Sequence, residues 1–175
     1  MDDVRTILRR CPYFRGVPEE PMAVIAAHAA VMTALKGTVL CEEGATPDMA
    51  WILGRGLVET RMGLPKGQYE VLATMQPGTL FGHISLLDRQ ARSATLVAVS
   101  SSELVRFTGA EFEWLLKDTS TAGRFFRRAI ILALADTLLA SATHLVEITR
   151  KEGEAPPRES REAFLKRLKD RLPHR

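Results

Sequence analysis

Apolar and polar positions change their rhythm twice along the chain. In the first thirty residues the apolar ones recur at helical spacing: Val4, Ile7 and Leu8 form one short turn, and Met22, Val24, Ile25 and Ala26 fall in a second segment from Pro18 to Ala30. Pro18 followed by Glu19 and Glu20 makes a good helix entrance, because proline lacks only an amide that has no helical partner there and the acids suit the positive end. At Val31 the texture changes. Eight of the twelve glycines lie between residues 37 and 82, interleaved with the β-prone runs VMTAL, TVL, MAWIL, LVETRM, YEVLATM and TLF. Two further strands are expected at Ala94 to Val99 and Glu103 to Phe107. Short strands punctuated by glycine, which allows the positive φ of tight turns, predict a small antiparallel roll or sandwich.

The second change comes at Ala110, after which the chain reads as helix. Ala110 to Lys117 turns Phe112, Leu115 and Leu116 inward, and a longer helix runs from Thr121 to Lys151, stopped near Gly153 and the Pro156-Pro157 pair. Its stripe Ile131, Leu134, Leu138, Ser141, Leu145, Ile148 has heptad spacing, and Ile130, Leu132, Leu139, Ala142 and Val146 widen the apolar surface. Packing on the roll alone would bury one side; the breadth favours a homodimer through the 121–151 helix as well. Beyond the prolines, Arg158 to Leu172 is amphipathic, with Phe164, Leu165, Leu168 and Leu172 on one side. The fold class expected is therefore α+β: an antiparallel β-roll flanked by N-terminal helices and a long C-terminal helix. The organisation is a roll with its helices over 1–118, a dimerisation or lid helix over 119–153, and a basic amphipathic tail over 154–175.

At 175 residues the chain holds one real core and an appendage. Its longest apolar stretch, Ala129 to Ala140, is interrupted by Asp136 and Thr137 and is too short to span a membrane. The start MDDVRTILRR has no apolar signal region, so a cytoplasmic protein without membrane attachment is expected. Cys11 and Cys41 have no paired spacing and read as reduced thiols. From Glu147 onward nine Lys and Arg face six Asp and Glu, while the body before it carries fifteen of each, so the tail holds the whole net charge of +3. At this density the tail reads as a solvated helix rather than a nucleic-acid arm. Nothing in it makes a complete helix-turn-helix, so no direct DNA-binding domain is expected.

The most specific stretch is Pro77-Gly78-Thr79-Leu80-Phe81-Gly82-His83-Ile84-Ser85-Leu86-Leu87, followed by Arg92-Ser93-Ala94-Thr95. Gly82 lets the chain turn from a strand into a short helix whose free amides can meet a phosphate. Arg92, just before the next strand, is placed to return to the same spot and neutralise that phosphate. The competing reading pairs Arg92 with a nearby carboxylate such as Asp88 and leaves His83 as a surface histidine. Trp51 and Trp114 read as core residues.

This order of residues resembles the cyclic-nucleotide-binding domains of catabolite-activator-type bacterial regulators, protein kinase A regulatory subunits and gated channels. Their phosphate cassette runs F-G-E, an aliphatic, a small residue, two aliphatics, a variable loop and R-[SAT]-A; here it is FGHISLL, DRQA, RSAT. The likeness extends from about Cys11 to Leu116, through Phe14, Gly37 with Leu40, Glu43-Gly44, Gly56, Pro77-Gly78 and the helix Glu111 to Leu116. It implies a cyclic phosphate held by Arg92 with Ser93 and by the amides of Gly82, His83, Ile84 and Ser85. It also implies a base meeting the long helix, where Thr137 and Ser141 are the polar candidates. The family's glutamate accepts the ribose 2′-hydroxyl; His83 stands in its place here, and a neutral imidazole offers one acceptor nitrogen where a carboxylate offers a charged pair.

Enzyme signatures are lacking: there is no G-x-S-x-G elbow, P-loop or H-E-x-x-H pair, and His28, His83, His144 and His174 are scattered. No metal or cofactor is expected. The function expected is a sensor domain that binds cyclic AMP or cyclic GMP and signals through the long helix to an unidentified downstream protein. The alternative is a degenerate domain kept as a dimerisation or interaction scaffold.

Overall fold

The computed structural model describes residues 2–151, with side chains through residue 142. The expected tail helix, Arg158 to Leu172, and the stop at Gly153 lie outside the described residues. Two units divide the chain, Met1–Leu134 and Ala135–Arg175.

The first unit begins with α1 (Val4–Arg10), a 3-10 turn at Pro12–Phe14 and α2 (Glu19–Ala27). Asp3 caps α1 by accepting from the Thr6 amide at 2.7 Å. The second helix is shorter than the segment to Ala30 predicted from sequence: it ends at Ala27, and Ala30 already opens the first strand, paired with Arg106. Sheet pairing thus takes over from helical periodicity once a long neighbouring strand satisfies the backbone.

Eight strands follow: β1 (Ala30–Ala34), β2 (Val39–Cys41), β3 (Met49–Arg55), β4 (Val58–Gly63), β5 (Tyr69–Met75), β6 (Leu80–Phe81), β7 (Thr95–Ala98) and β8 (Ser102–Thr108). They form two antiparallel sheets of four, ordered β1-β8-β3-β6 and β2-β7-β4-β5. Between β3 and β4 the chain turns at Gly56, φ +93°, where a Cβ would stand only 2.7 Å from the Ser101 carbonyl oxygen.

The short helix α3 (His83–Asp88) sits between β6 and β7, α4 (Gly109–Lys117) follows β8, and α5 (Thr121–Lys151) closes the described chain. A reciprocal capping box starts α4: Thr108 accepts from the Glu111 amide, and Glu111 accepts from the Thr108 amide at 2.8 Å.

Two buried clusters cover both faces of β3 and β8, which is why β3 reads as a continuous apolar run rather than an alternating one. One face of these strands, with Trp51, Leu53 and Leu104, packs against Val58, Phe81, Leu96 and Ala98 between the sheets. The other face, with Ala50, Ile52, Val105 and Phe107, meets the helices. A strand covered on both faces loses the period-two pattern because both sets of side chains leave water.

The helical side is centred on Phe126 of α5, whose ring lies 5.2 Å from Phe112, 5.6 Å from Phe107 and 6.3 Å from Phe14, centroid to centroid. The roll's core therefore continues past residue 118 into the first turns of α5, through Ala122, Phe126, Ala129, Ile130 and Ala133. Leu134, expected in the outward stripe, also packs against this core. The apolar surface left exposed on α5 is carried by Ile131, Leu132, Leu138 and Leu139. Trp114, expected in the core, is 48% exposed and meets the edge of His28 at 3.9 Å. On α4 the inward face is taken by the smaller Phe112 and Leu115, which leaves the indole outside.

Candidate functional site

The cassette segment is built by β6, α3 and the start of β7. Trp51 of β3 lies opposite Phe81 of β6, and the two rings stack with centroids 5.8 Å apart. The chain leaves β6 at Gly82, which caps α3 with φ +75°. A Cβ there would stand 2.8 Å from the Trp51 ring and 3.1 Å from Nη1 of Arg92. Only glycine meets both the backbone and the space requirement at this point.

Arg92 closes over this glycine. Its residue is 4% exposed. Nη1 donates to the Gly82 carbonyl at 2.7 Å and Nη2 donates to the Met49 carbonyl. The guanidinium lies 5.2 Å from the Trp51 ring centroid, and the Asp48 carboxylate stands 3.6 Å from Nη2. Nε has no partner. The backbone holds the arginine from both ends: its amide donates to the Ala45 carbonyl at 2.9 Å, and its carbonyl accepts from the Gly44 amide at 2.8 Å. The expected alternative partner, Asp88, is not the one found. Its carboxylate accepts from the Gln90 amide at 2.9 Å, while Asp48, on the loop before β3, takes the place beside Arg92.

His83 is 2% exposed, which corrects the reading of it as a surface histidine. As the first residue of α3, directly after the turn at Gly82, it is carried into the interior, and neither ring nitrogen has a hydrogen-bond partner among the described residues. Burial pushes its pKa down to about 4, so the ring is neutral at physiological pH. Ile84 is exposed, Ser85 half-buried and Ser93 exposed. Thr137 and Ser141 lie in the second unit at exposed positions of α5, where the Ser141 hydroxyl donates to the Thr137 carbonyl at 2.9 Å.

The structure thus brings Gly82 and Arg92 into direct contact and adds three residues that motif reading passed over: Trp51, Met49 and Asp48. Met49 acts through its carbonyl, which no side-chain motif can reveal. Asp48 had a sequence signal, a lone carboxylate immediately before a strand, but Asp88 lay closer in the chain.

The donor set has definite chemistry. A buried guanidinium keeps a free donor at Nε, and its countercharge, the Asp48 carboxylate 3.6 Å from Nη2, is solvent-exposed, so the site suits an anion. The neutral imidazole supplies one donor and one acceptor, both unused. With six residues, α3 contributes local amides rather than a substantial macrodipole.

Comparison with known proteins places this geometry in context. The family model of the cyclic nucleotide-binding domain matches residues 31–119. The chain is 28% identical over 113 residues to the cyclic AMP receptor protein of Thermus thermophilus, an alignment covering 63% of this chain and 51% of the relative. It is 34% identical over 86 residues to an uncharacterized ABC transporter ATP-binding protein of Mycobacterium tuberculosis, covering 49% of this chain and 26% of that one. The chain therefore spans about half the length of the first of these relatives and about a quarter of the second. Among solved structures, the catabolite activator protein of Thermus thermophilus superposes with a TM-score of 0.67 at 25% identity, covering 79% of this chain and 63% of that one. A cyclic nucleotide-binding domain from Methylobacillus flagellatus reaches a TM-score of 0.72 at 18% identity, covering 83% and 82%, a likeness of fold. On the match over residues 31–119 of the 175, the chain belongs to the cyclic nucleotide-binding domain family.

Proposed function

We propose that this chain is a regulatory sensor, not a catalyst, which binds a cyclic nucleotide, cyclic AMP or cyclic GMP, in the cassette. The observation that carries the reading is Arg92: a buried cation with an unpartnered Nε, set against the tight glycine turn at Gly82. In this reading Arg92 and Ser93, with the amides of Gly82, His83, Ile84 and Ser85, take the phosphate. His83 accepts the ribose hydroxyl through its unprotonated nitrogen, and Thr137 and Ser141 are the candidates for the base.

The signal passes through β3 to α5. Met49 at the start of β3 holds Arg92 by its carbonyl, while Ala50 and Ile52 on the same strand share a core with Phe126. An anion that draws Arg92 away from Met49 shifts the edge of this core, provided that it binds one arrangement better than the other. The exposed Ile131, Leu138 and Leu139, at 64%, 71% and 66%, support a homodimer through α5 as the readout.

Isothermal calorimetry of the full chain against cyclic AMP and cyclic GMP tests this. Saturable binding lost in Arg92→Ala and tightened in His83→Glu is the expected result. A second reading, a scaffold that has lost its ligand, is favoured by one observation: one N–H of each Nη of Arg92 already donates to a backbone carbonyl. Silence from the native chain together with binding by His83→Glu would establish that reading instead.

A further inference from the structure

The first unit carries a concavity whose lining includes none of the residues proposed above to take the phosphate. A cleft of about 460 Å3 opens between the loop at Thr46 and Pro47, α3 and α4. This volume lies in the range of small-molecule sites. Its apolar lining comes from Pro47, Leu86, Leu87, Phe112 and Leu116. Its charged lining is Arg89, Glu113 and Lys117. Glu113 serves both cations, reaching Lys117 at 2.5 Å and Arg89 at 3.5 Å. One carboxylate against two cations leaves the lining with a single positive charge in excess.

That combination selects among ligand classes. A cation meets repulsion, a small hydrophilic anion leaves the apolar lining uncovered, and a neutral chain leaves the excess charge unmatched. We propose that the cleft binds a medium-chain fatty carboxylate from solution, its chain along Leu86, Leu87 and Leu116 and its carboxylate at the N–H donors of Arg89 and Lys117 that Glu113 leaves free.

The position gives such binding a consequence for the cassette, and this second step rests on the function proposed above. The cleft's three walls adjoin the residues that hold Arg92. Its helix α3 follows Gly82. Its loop is tied to Arg92 through the Ala45 carbonyl at 2.9 Å, and Gly109 at the head of α4 donates to the Asp48 carbonyl at 2.6 Å. A chain wedged between α3 and α4 therefore alters anion affinity at Arg92, and an anion there alters the cleft by the same factor.

The test is a titration of the 15N-labelled full chain with decanoate, below its micelle concentration, read by amide chemical shifts without nucleotide. Saturable shifts centred on residues 46–47, 86–89 and 112–117 are expected, with decanoate about fivefold tighter than decanol, the size of one exposed ion pair. Lys117→Glu weakens decanoate by about tenfold through charge reversal. Leu87→Asp, at an exposed wall position, abolishes binding while the spectrum stays dispersed. Shifts that map elsewhere or fail to saturate, equal affinity for decanol, or native affinity in Leu87→Asp would each overturn the proposal. So would mutually exclusive binding of decanoate and cyclic AMP. Failure of every cyclic nucleotide to bind would sink the sensor reading and leave the cleft result standing.

Discussion

Nη1 of Arg92 donates to the Gly82 carbonyl at 2.7 Å and lies 3.1 Å from the point a Cβ on Gly82 would occupy. The two residues are ten positions apart in sequence and form one unit: the glycine turn provides both the acceptor and the space for the cation.

Gly82→Ala places a methyl group 2.8 Å from the Trp51 ring at a residue with φ +75°. Backbone strain in the left-handed region costs about 1–2 kcal/mol, and the buried contact adds to it. A lowered urea midpoint with an unchanged slope is expected; a native midpoint would show that the turn relaxes freely.

Arg92→Met removes the donors to the Gly82 and Met49 carbonyls. Leaving buried acceptors unpaired costs about 1–3 kcal/mol. Denaturation without any ligand should therefore show a loss of that order, with Arg92→Lys intermediate because an ammonium keeps the charge but not the forked geometry. If Arg92→Met were as stable as the native chain, the arginine would be held only for a ligand.

Burial lowers the His83 pKa from 6.5 to about 4. The folded state therefore binds fewer protons than the unfolded state between these values, and stability rises with pH across that window. Read downward, the contribution is whole above pH 6.5 and is lost as pH falls toward 4, amounting to on the order of 3 kcal/mol. Denaturation midpoints from pH 4 to 7 should fall more steeply on acidification for the native chain than for His83→Met. Parallel curves would contradict a buried neutral imidazole.

Phe126 meets Phe14, Phe107 and Phe112 in the helical core. Phe126→Ala should cost about 3–5 kcal/mol, as truncation of a buried aromatic generally does. Thermal unfolding reports this directly. A small effect would mean that the start of α5 packs only loosely on β8 and α4.

Much of this architecture was legible from residue order alone. The eight strands, the helix Gly109–Lys117 and the span Thr121–Lys151 follow from apolar period and glycine placement, since local backbone preference and one buried face act together there. The misplaced end of α2 shows the limit of that agreement. Residues up to Ala30 suit a helix locally, yet Ala30 joins β1 because β8 offers a pairing partner distant in sequence.

The cassette divides along the same line. Gly82 and Arg92 could be named from the linear motif, because a strand-to-helix turn and a returning cation need those residue types in that order, whereas His83 was named only from the family resemblance, as the residue in the place of its glutamate. Tertiary structure alone decided that Arg92 faces Asp48 rather than Asp88, that Met49 and Trp51 complete its surroundings, and that His83 is buried and neutral. It also decided that Leu134 turns to the roll while Ile131 and Leu138 stay exposed, although all three share one heptad stripe. The physical reason is common to these cases. Sequence records which groups a segment carries and with what period. Burial, countercharge and the choice between equivalent faces depend on which distant segment arrives beside it.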